Sequence, residues 1–421
     1  MRQTRFLALW ASTGTANLAD GITLFLLPVA ALGIGASPAG VAAVTVVATL
    51  AWPVLGLPAG WVADRIDRGR LLVVANILRA LVLAGASAAA ATDSLHLPVL
   101  LLVAAASGAI EAVVDSALTA LVPTTVPHED RTRANARIET TINLTNQLLG
   151  APLAGLLVGV SLTASFGAGA ALYGAAAGAA STLVLSRRAA REPTAAAAAP
   201  AILIDARVRA GMVFLWRQPL LRQVTFLTAA MNLVWGAFGA VFVIYALTPA
   251  GLDLSPASYG LLLTAAAVGG LVASASVDPL RRRWGARNLL VVDCLGTVLL
   301  VGPATLGLGL WPVALGVVVA GAGSSIWRVL VATIRQAVTP DPLLGRVYSA
   351  SRVISWGTVP LGAAAAGLLG EVTTVRTALG AATILAVVVV GWFVLSMRGH
   401  DLDAAFIPAA APAHPADQPT T

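Results

Sequence analysis

Three carboxylates lie inside long apolar runs of the sequence, where a charge needs a physical reason. Asp20 follows Asn17 by three residues, and Asp115 follows Glu111 by four, so each pair shares one face of a helix. Two carboxylates that lie close together in a medium of low dielectric cannot both ionise cheaply, so we expect at least one to bind a proton. Taking up and releasing a proton at such a site is chemistry that can drive a conformational step.

A purely structural role for these acids stays open. Buried acids also pair with buried donors, and Arg79 in the third apolar run is such a donor. In that case Asp20, Glu111 and Asp115 only hold helices together. Asp115 lies nearer to the end of its run than the other two, so both roles carry equal weight there.

Five polar or aromatic residues are candidates for contact with a bound small molecule. Trp327 and Arg328 are neighbours in one apolar run, Asn232 and Trp235 are three residues apart in another, and Asn17 lies beside Asp20. An aromatic surface next to a polar group suits a large amphipathic ligand. The alternative is that Trp235 faces lipid and that Arg328 extends to the membrane interface.

The runs that carry these residues are predicted membrane spans. The chain has 421 residues, of which 58% are hydrophobic, and its mean hydropathy is +0.87, which is too apolar for a soluble domain. A run of about 20 apolar residues crosses a bilayer as a helix, and these runs are continuous rather than alternating. We therefore predict an all-α integral membrane protein with twelve transmembrane helices. The predicted spans are residues 6–32, 38–62, 71–91, 97–121, 138–160, 163–185, 222–247, 256–278, 287–308, 311–336, 350–370 and 374–396.

The spans divide into two six-helix bundles with polar segments beside them. The N-terminal bundle covers residues 1–185 and the C-terminal bundle covers residues 222–396. Residues 186–221 contain six arginines and an alanine run between Pro193 and Pro200, which predicts a cytoplasmic linker. Residues 397–421 are rich in Pro and Ala and are predicted to be a disordered tail.

The distribution of arginine predicts the orientation in the membrane. All 26 basic residues are arginines, and those of the loops follow the even-numbered spans, as Arg131, Arg283 and Arg346 do. Only Arg376 falls on the other side. By the positive-inside rule, both termini are expected in the cytoplasm of a cell whose plasma membrane holds the protein. Because the arginines form no single basic patch, we predict no nucleic-acid partner.

One loop has a distinctive pattern of charge, with Gly60, Asp64, Arg65, Arg68 and Arg70 in eleven residues after the second span. The glycine lets a helix end approach a neighbour, and the aspartate is placed to accept hydrogen bonds at another helix N-terminus. The pattern G-x-x-x-D-R-x-x-R-x-R closely resembles the loop between helices 2 and 3 of the major facilitator superfamily. The alternative is an ordinary loop that obeys the positive-inside rule.

The resemblance implies two parallel six-helix repeats with a substrate site between them, near the middle of the membrane. Asp278 and Arg282 follow span 8 as Asp64 and Arg68 follow span 2, which fits such a repeat. In this superfamily helices 1, 4, 7 and 10 line the cavity, so the three acids are expected in or near it. The loop after span 2 is expected to set the balance between inward-open and outward-open states.

Further motifs resemble the macrolide-efflux and siderophore-export branch of the drug–proton antiporters. These are Gly150-x-Pro152-x-x-Gly155 in span 5, which also predicts close helix packing and a bend, and Leu344-Gly345-Arg346-Val347 before span 11. The sequence departs from many of those proteins in one respect. Many of them carry an Arg within helix 4, whereas span 4 of this chain carries acids and no Arg, so a specific proton-coupling mechanism is not carried over from them. Arg79 on span 3 is a candidate substitute for that Arg.

The resemblance therefore implies a secondary transporter that exports a small hydrophobic or amphipathic compound in exchange for protons. Macrolide-like drugs, siderophores and secondary metabolites are candidate substrates, and multidrug resistance is a candidate role for a monomeric efflux antiporter. Two alternatives are an importer of a small metabolite and a non-transporting sensor or enzyme on the same fold. No catalytic residues, cofactor or metal site are predicted, since the sequence has no nucleotide-binding glycine loop and no His or Cys cluster.

Overall fold

The computed structural model describes residues 2–127, 130–189 and 203–406, and all the regular secondary structure within them is helical. Fourteen α-helices follow one another: α1 (Arg2–Gly33), α2 (Pro38–Arg65), α3 (Arg68–Ala91), α4 (Leu97–Thr125), α5 (Arg131–Ile142), α6 (Gly150–Val160), α7 (Leu162–Ala189), α8 (Leu203–Arg217), α9 (Pro219–Leu247), α10 (Pro256–Leu306), α11 (Leu310–Val338), α12 (Leu344–Trp356), α13 (Val359–Val372) and α14 (Val375–Ser396). A π-helix, Asn143–Leu149, joins α5 to α6.

These helices account for the twelve predicted crossings. α5, the π-helix and α6 together make the fifth crossing, and α12 with α13 makes the eleventh. The eighth and ninth lie within α10, which turns at Gly285, where φ is 77° and ψ is 155°, values that favour glycine. Ten helical segments of the described residues are long and apolar enough to cross a membrane by themselves. The predicted all-helical membrane fold is confirmed.

The charged loop after α2 ends at a side-chain cap on the first turn of α3. The backbone of Asp64 lies in the last turn of α2, and the side chains of residues 56–64 lie outside what the structure describes. The carboxylate at the start of α3 is that of Asp67, which accepts a hydrogen bond from the backbone N–H of Arg70 at 2.8 Å. An acceptor at this position satisfies a donor that the helix itself leaves unpaired.

Among the described residues, the apolar core that joins the two halves lies at one end of the molecule. We call this the closed end; it carries the connections 34–37, 92–96 and 248–255. One continuous apolar core there joins Phe25 and Leu100 of the first half to Phe242 and Tyr259 of the second. The rings of Phe25 and Tyr259 lie 5.2 Å apart between centroids. At the opposite, arginine-rich end, each half has an apolar core of its own.

Backbone contacts across the two halves strengthen the closed end. A methyl group at Gly155 of α6 would overlap the carbonyl oxygen of Pro256, and one at Gly260 of α10 would overlap that of Ala151. Glycine is therefore required for this close approach of α6 and α10. A second contact between the halves joins α13 to α2, where the exposed Glu371 accepts a hydrogen bond at 3.1 Å from the backbone N–H of Ala39.

Parts of the predicted linker and tail are helical. α8 lies within the predicted linker, and residues 190–202 lie outside the described part. The chain after α14 ends its described part in a short 3₁₀ helix, Asp403–Phe406, which packs on the turn at Gly285. Asp403 accepts a hydrogen bond at 3.0 Å from the backbone N–H of Ala286. The described chain thus continues ten residues past the predicted end of the bundle, and residues 407–421 of the predicted tail lie outside it.

Candidate functional site

A buried ion pair ties three helices of the first half together. The Arg79 guanidinium on α3 lies with Nη1 3.1 Å from Oδ1 of Asp20 on α1. The Tyr173 hydroxyl on α7 donates a hydrogen bond of 2.6 Å to the same carboxylate oxygen. Arg79 also lies over the Tyr173 ring, 5.2 Å from its centroid. Asp20 is 8% exposed and Arg79 2%, so this group is shielded from solvent.

Glu111 and Asp115 of α4 face the same group. They line a narrow polar pocket with Asn17, Asp20 and Arg79 whose volume is about 20 Å³. A space of this size admits roughly one water molecule. The structure thus brings together the three acids that the sequence singled out. It also shows the pairing of Asp20 with Arg79 that the structural interpretation required.

A larger cavity lies in the second half, between α9, α10, α11 and α12. Its volume is about 550 Å³, and Asn232, Trp235, Trp327 and Arg328 all line it. A neighbouring cavity of about 480 Å³ shares Trp235 and Arg328 with it and extends to the π-helix of the first half. Neither Trp235 nor Arg328 is therefore confined to the lipid face or the membrane interface. Volumes of this size are typical of small-molecule sites.

Four of the five predicted cavity residues already donate a hydrogen bond within the protein. The Asn232 side chain donates a hydrogen bond of 2.7 Å to the backbone carbonyl of Ser355, which ties α9 to α12. The Trp327 indole donates to the Thr228 hydroxyl at 3.0 Å and is 6% exposed, so it forms part of the wall. Arg328 donates to the Ser325 hydroxyl at 3.3 Å. Asn17, in the first half, donates to the carbonyl of Thr13 in its own helix.

Sequence reasoning missed three charged residues of the larger cavity: Asp293, Arg335 and Arg352. Asp293 lies on α10, is 1% exposed, and neither of its carboxylate oxygens has a hydrogen-bond partner in the described residues. Arg335 donates to the Ser351 hydroxyl at 3.3 Å and lies over the Tyr348 ring. The signal for Asp293 is present in the sequence, as an isolated acid within predicted span 9.

The charged motif of the second half lies on the surface. Arg282 lies 3.6 Å from Asp278 and Arg281 lies 3.7 Å from the same carboxylate, within one helix. Arg282 and Asp278 are more than two-thirds exposed, so solvent screens this pair strongly. In the first half Arg65 and Arg70 are exposed as well.

The predicted packing motif of span 5 lies at two helix contacts. A Cβ atom at Gly150 would be 2.7 Å from Cα of Gly21, so α6 and α1 meet at this point almost backbone to backbone. Pro152 and Gly155 lie at the contact with α10 of the other half, where Gly260 and Pro256 are their neighbours. The motif therefore faces both its own bundle and the opposite one.

The described residues form twelve helical crossings in two bundles, which are closed together at one end beside a cavity, and this is the architecture of a multi-pass membrane protein. The sequence profile of the Major Facilitator Superfamily matches residues 9–357, and the chain belongs to that family. The match assigns the chain to a family of membrane transporters rather than enzymes.

Similar proteins agree with this assignment. An uncharacterized MFS-type transporter, y4rN, of Sinorhizobium fredii (strain NBRC 101917 / NGR234) is 27% identical over 256 residues, which cover 59% of this chain and 60% of that protein. The chain thus matches about three-fifths of the length of that relative.

Solved structures show the same fold at low identity. The nucleoside transporter NupG has a TM-score of 0.72 at 12% identity, over 94% of this chain and 100% of that one. A bacterial homologue of the human lysosomal transporter Spinster, inward-facing and unoccupied, has a TM-score of 0.71 at 14% identity, over 97% and 99%. An inward-facing bacterial homologue of the iron transporter ferroportin has a TM-score of 0.70 at 17% identity, over 93% and 98%.

Proposed function

We propose that this chain is a secondary active exporter in the plasma membrane, which expels a small hydrophobic or amphipathic compound in exchange for protons. The observation that carries the proposal is the pairing of two sites. A buried acidic group lies in the first half, and a cavity with aromatic walls lies in the second. An antiporter needs both a site for the driving ion and a site for its substrate.

Glu111 is the acid that we assign to the proton. Asp20 already has Arg79 and Tyr173 as partners, so its negative charge is compensated where it lies. Glu111 shares the pocket with Asp20 and lies in the middle of α4, at about 14 residues from each of its ends, where an uncompensated charge is costly. Binding a proton removes that charge, and losing the proton restores it.

The direction of transport that we propose follows from exchange with protons that enter down their gradient. With the arginine-rich end in the cytoplasm, the cavity opens inward and the closed end faces outward. In this state Glu111 releases its proton to the cytoplasm and the cavity takes up its substrate. Closure of the arginine-rich end and opening of the other then exposes both sites to the outside. A proton gradient directed inward makes this cycle run as export.

Aromatic side chains support an amphipathic substrate. Trp235, Trp327, Tyr348 and Trp356 line the larger cavity, and such rings offer broad apolar contact. The macrolide-efflux and siderophore-export branch of the family is the branch that we propose for this chain. Such a substrate and such a branch fit a role in multidrug resistance.

Transport in proteoliposomes with an imposed pH gradient tests the proposal. Inverted membrane vesicles and a panel of fluorescent apolar dyes, including the neutral dye N-phenyl-1-naphthylamine, first identify a transported compound. We expect Glu111→Gln to abolish its pH-driven accumulation while downhill exchange continues, because only proton binding is lost. Asp341→Asn, in an exposed loop, is the matched control and should behave as wild type.

Two results would count against the proposal. If Asp20→Asn, Glu111→Gln and Asp115→Asn all keep the wild-type dependence on the pH gradient, the acids are structural and proton antiport should be abandoned. If dye moves inward with protons rather than against them, the chain is an importer.

A further inference from the structure

We propose that the substrate is an amphipathic organic anion, whose acidic group is bound by Arg328 and Arg335 on the wall of the larger cavity. This inference rests on the proposed transport function and names the chemical class of the substrate. An acidic group means here a carboxylate, a sulfonate or a phosphate attached to an apolar body.

The charge of Arg328 has no neutralising partner among the described residues. Its only described hydrogen bond goes to the Ser325 hydroxyl, and no ion pair joins it to a carboxylate within residues 2–127, 130–189 and 203–406. It lines both cavities and lies about ten residues from the inner end of α11. An arginine within a membrane span that faces a cavity in this way is a candidate ligand for a substrate.

Arg335 extends the positive wall towards the arginine-rich end. It follows Arg328 by seven residues on α11, which places the two about 10.5 Å apart along the same face of the helix. Its described contacts are the Ser351 hydroxyl and the ring of Tyr348, whose centroid lies 5.4 Å from its guanidinium carbon. Both contacts are neutral, so its positive charge also remains available to a ligand.

Aromatic rings support the guanidinium groups of this wall. Arg335 lies over Tyr348, and Arg352 lies over Trp356 with 5.6 Å from its guanidinium carbon to the ring centroid. The ring attracts the guanidinium above it, and a guanidinium presents a planar edge of N–H donors. Such an edge binds two oxygens of one acidic group.

The balance of charge in the cavity favours an anion over a cation. The larger cavity is lined by three arginines, and its one described acid, Asp293, is 1% exposed. The neighbouring cavity contains Arg328 and no acid among its described lining residues. The net positive charge of this wall repels a cationic drug, whereas an anion gains charge-assisted hydrogen bonds and the aromatic rings contact its apolar body.

Two dyes that share one ring system test the proposal. 8-Anilinonaphthalene-1-sulfonate carries a sulfonate, and N-phenyl-1-naphthylamine is the same molecule without it. The full chain is placed in nanodiscs of neutral lipid, and energy transfer from its tryptophans to the dye reports binding, with empty nanodiscs as the blank. We expect wild type to bind the sulfonate roughly tenfold more tightly than the neutral dye, as one additional charge-assisted contact provides.

Arginine variants assign the selectivity to the cavity wall. Arg328→Gln should reduce the ratio of the two affinities towards one and leave binding of the neutral dye unchanged, and Arg328→Lys should restore part of the ratio. Arg335→Gln should lower the ratio as well. It serves as the second variant if Arg328→Gln does not fold. Arg283→Gln, an exposed arginine outside the cavities, is the control and should keep the wild-type ratio.

Equal affinity of wild type for both dyes, or a ratio that stays unchanged in Arg328→Gln and Arg335→Gln, would overturn the proposal. The measurement is made at equilibrium without a pH gradient, so it does not depend on proton coupling. If the pH gradient drives accumulation of the neutral dye but the sulfonate does not bind more tightly, the chain remains a proton-coupled exporter and the anion site is lost. A chain that prefers the sulfonate without pH-driven transport would keep the anion site and lose the proposed coupling.

Discussion

The two halves of this transporter treat buried charge in opposite ways. In the first half, Asp20, Arg79 and Tyr173 satisfy one another inside the bundle. In the second half, Arg328 and Arg335 face a cavity, and the described residues offer them hydroxyls and a ring but no carboxylate. A charge that is compensated within the protein contributes equally to stability whether or not the cavity holds a substrate. A charge left facing a cavity is compensated only by what enters it.

Two buried aspartates show the same difference within one residue type. Asp20 has a guanidinium and a hydroxyl as partners, whereas neither oxygen of Asp293 has a hydrogen-bond partner in the described chain. Removing a partner from the first acid and altering the second should therefore have unequal effects on stability.

The largest effect is expected from Arg79→Met. It leaves the Asp20 carboxylate buried with Tyr173 as its one remaining described partner, and breaking a buried ion pair in this way costs about 3–5 kcal/mol. The free energy of unfolding, measured by denaturant titration in detergent micelles, should fall by that amount. The double variant Asp20→Leu with Arg79→Met should recover part of the loss, since the carboxylate that the ion pair compensated is removed as well. A double variant as unstable as the single one would show that the pair is not what Arg79 supports.

A smaller effect is expected from Tyr173→Phe. This change removes the 2.6 Å hydrogen bond to Asp20 and keeps the ring beneath Arg79. A hydrogen bond to a charged group contributes about 1.5–3 kcal/mol, so the free energy of unfolding should fall within that range. Tyr245→Phe is the matched control, because this tyrosine is similarly buried and makes no described hydrogen bond to a carboxylate. Equal losses in both variants would mean that the bond to Asp20 adds nothing.

The smallest effect on stability is expected from Asp293→Asn. The change is isosteric and breaks no described hydrogen bond of the side chain, so the free energy of unfolding should change by less than about 1 kcal/mol. The same substitution at Asp20 weakens both an ion pair and a hydrogen bond, and should cost more. A loss at Asp293 as large as that at Asp20 would remove the contrast between the halves.

The membrane spans could be predicted from the sequence because the length of an apolar run is read directly along the chain. The sequence also predicted the two possible roles of Asp20, proton coupling and a structural ion pair, because Arg79 lies within the third span and is a candidate partner. Which role the contacts support depends on the distance between two residues that are 59 positions apart. No local pattern contains that distance.

Arg352 shows why part of the cavity escaped prediction. Span 11 was predicted to begin at residue 350, which placed Arg352 at the membrane interface, where an arginine needs no explanation. The helix begins at Leu344, so Arg352 lies more than two turns inside it. Arg335 was missed in a similar way, because it lies in the last turn of α11, where positive charge is ordinary.

α8 was predicted as linker because arginines and the alanine run dominate the composition of residues 186–221. Its ordering depends on partners far away in the sequence. Met212 and Leu215 pack against Val347 and Ala350 of α12, so α8 docks on the second half.

The glycine contacts at the closed end bear on how this protein can evolve. α6 and α10 meet there through backbone atoms of Gly155, Pro256, Ala151 and Gly260, and none of these residues lines either of the two cavities. Mutations that change the cavity wall therefore do not replace any residue of this contact between α6 and α10. Substrate specificity can therefore change during evolution by single substitutions in the cavity wall, while the helix contact at the closed end stays the same.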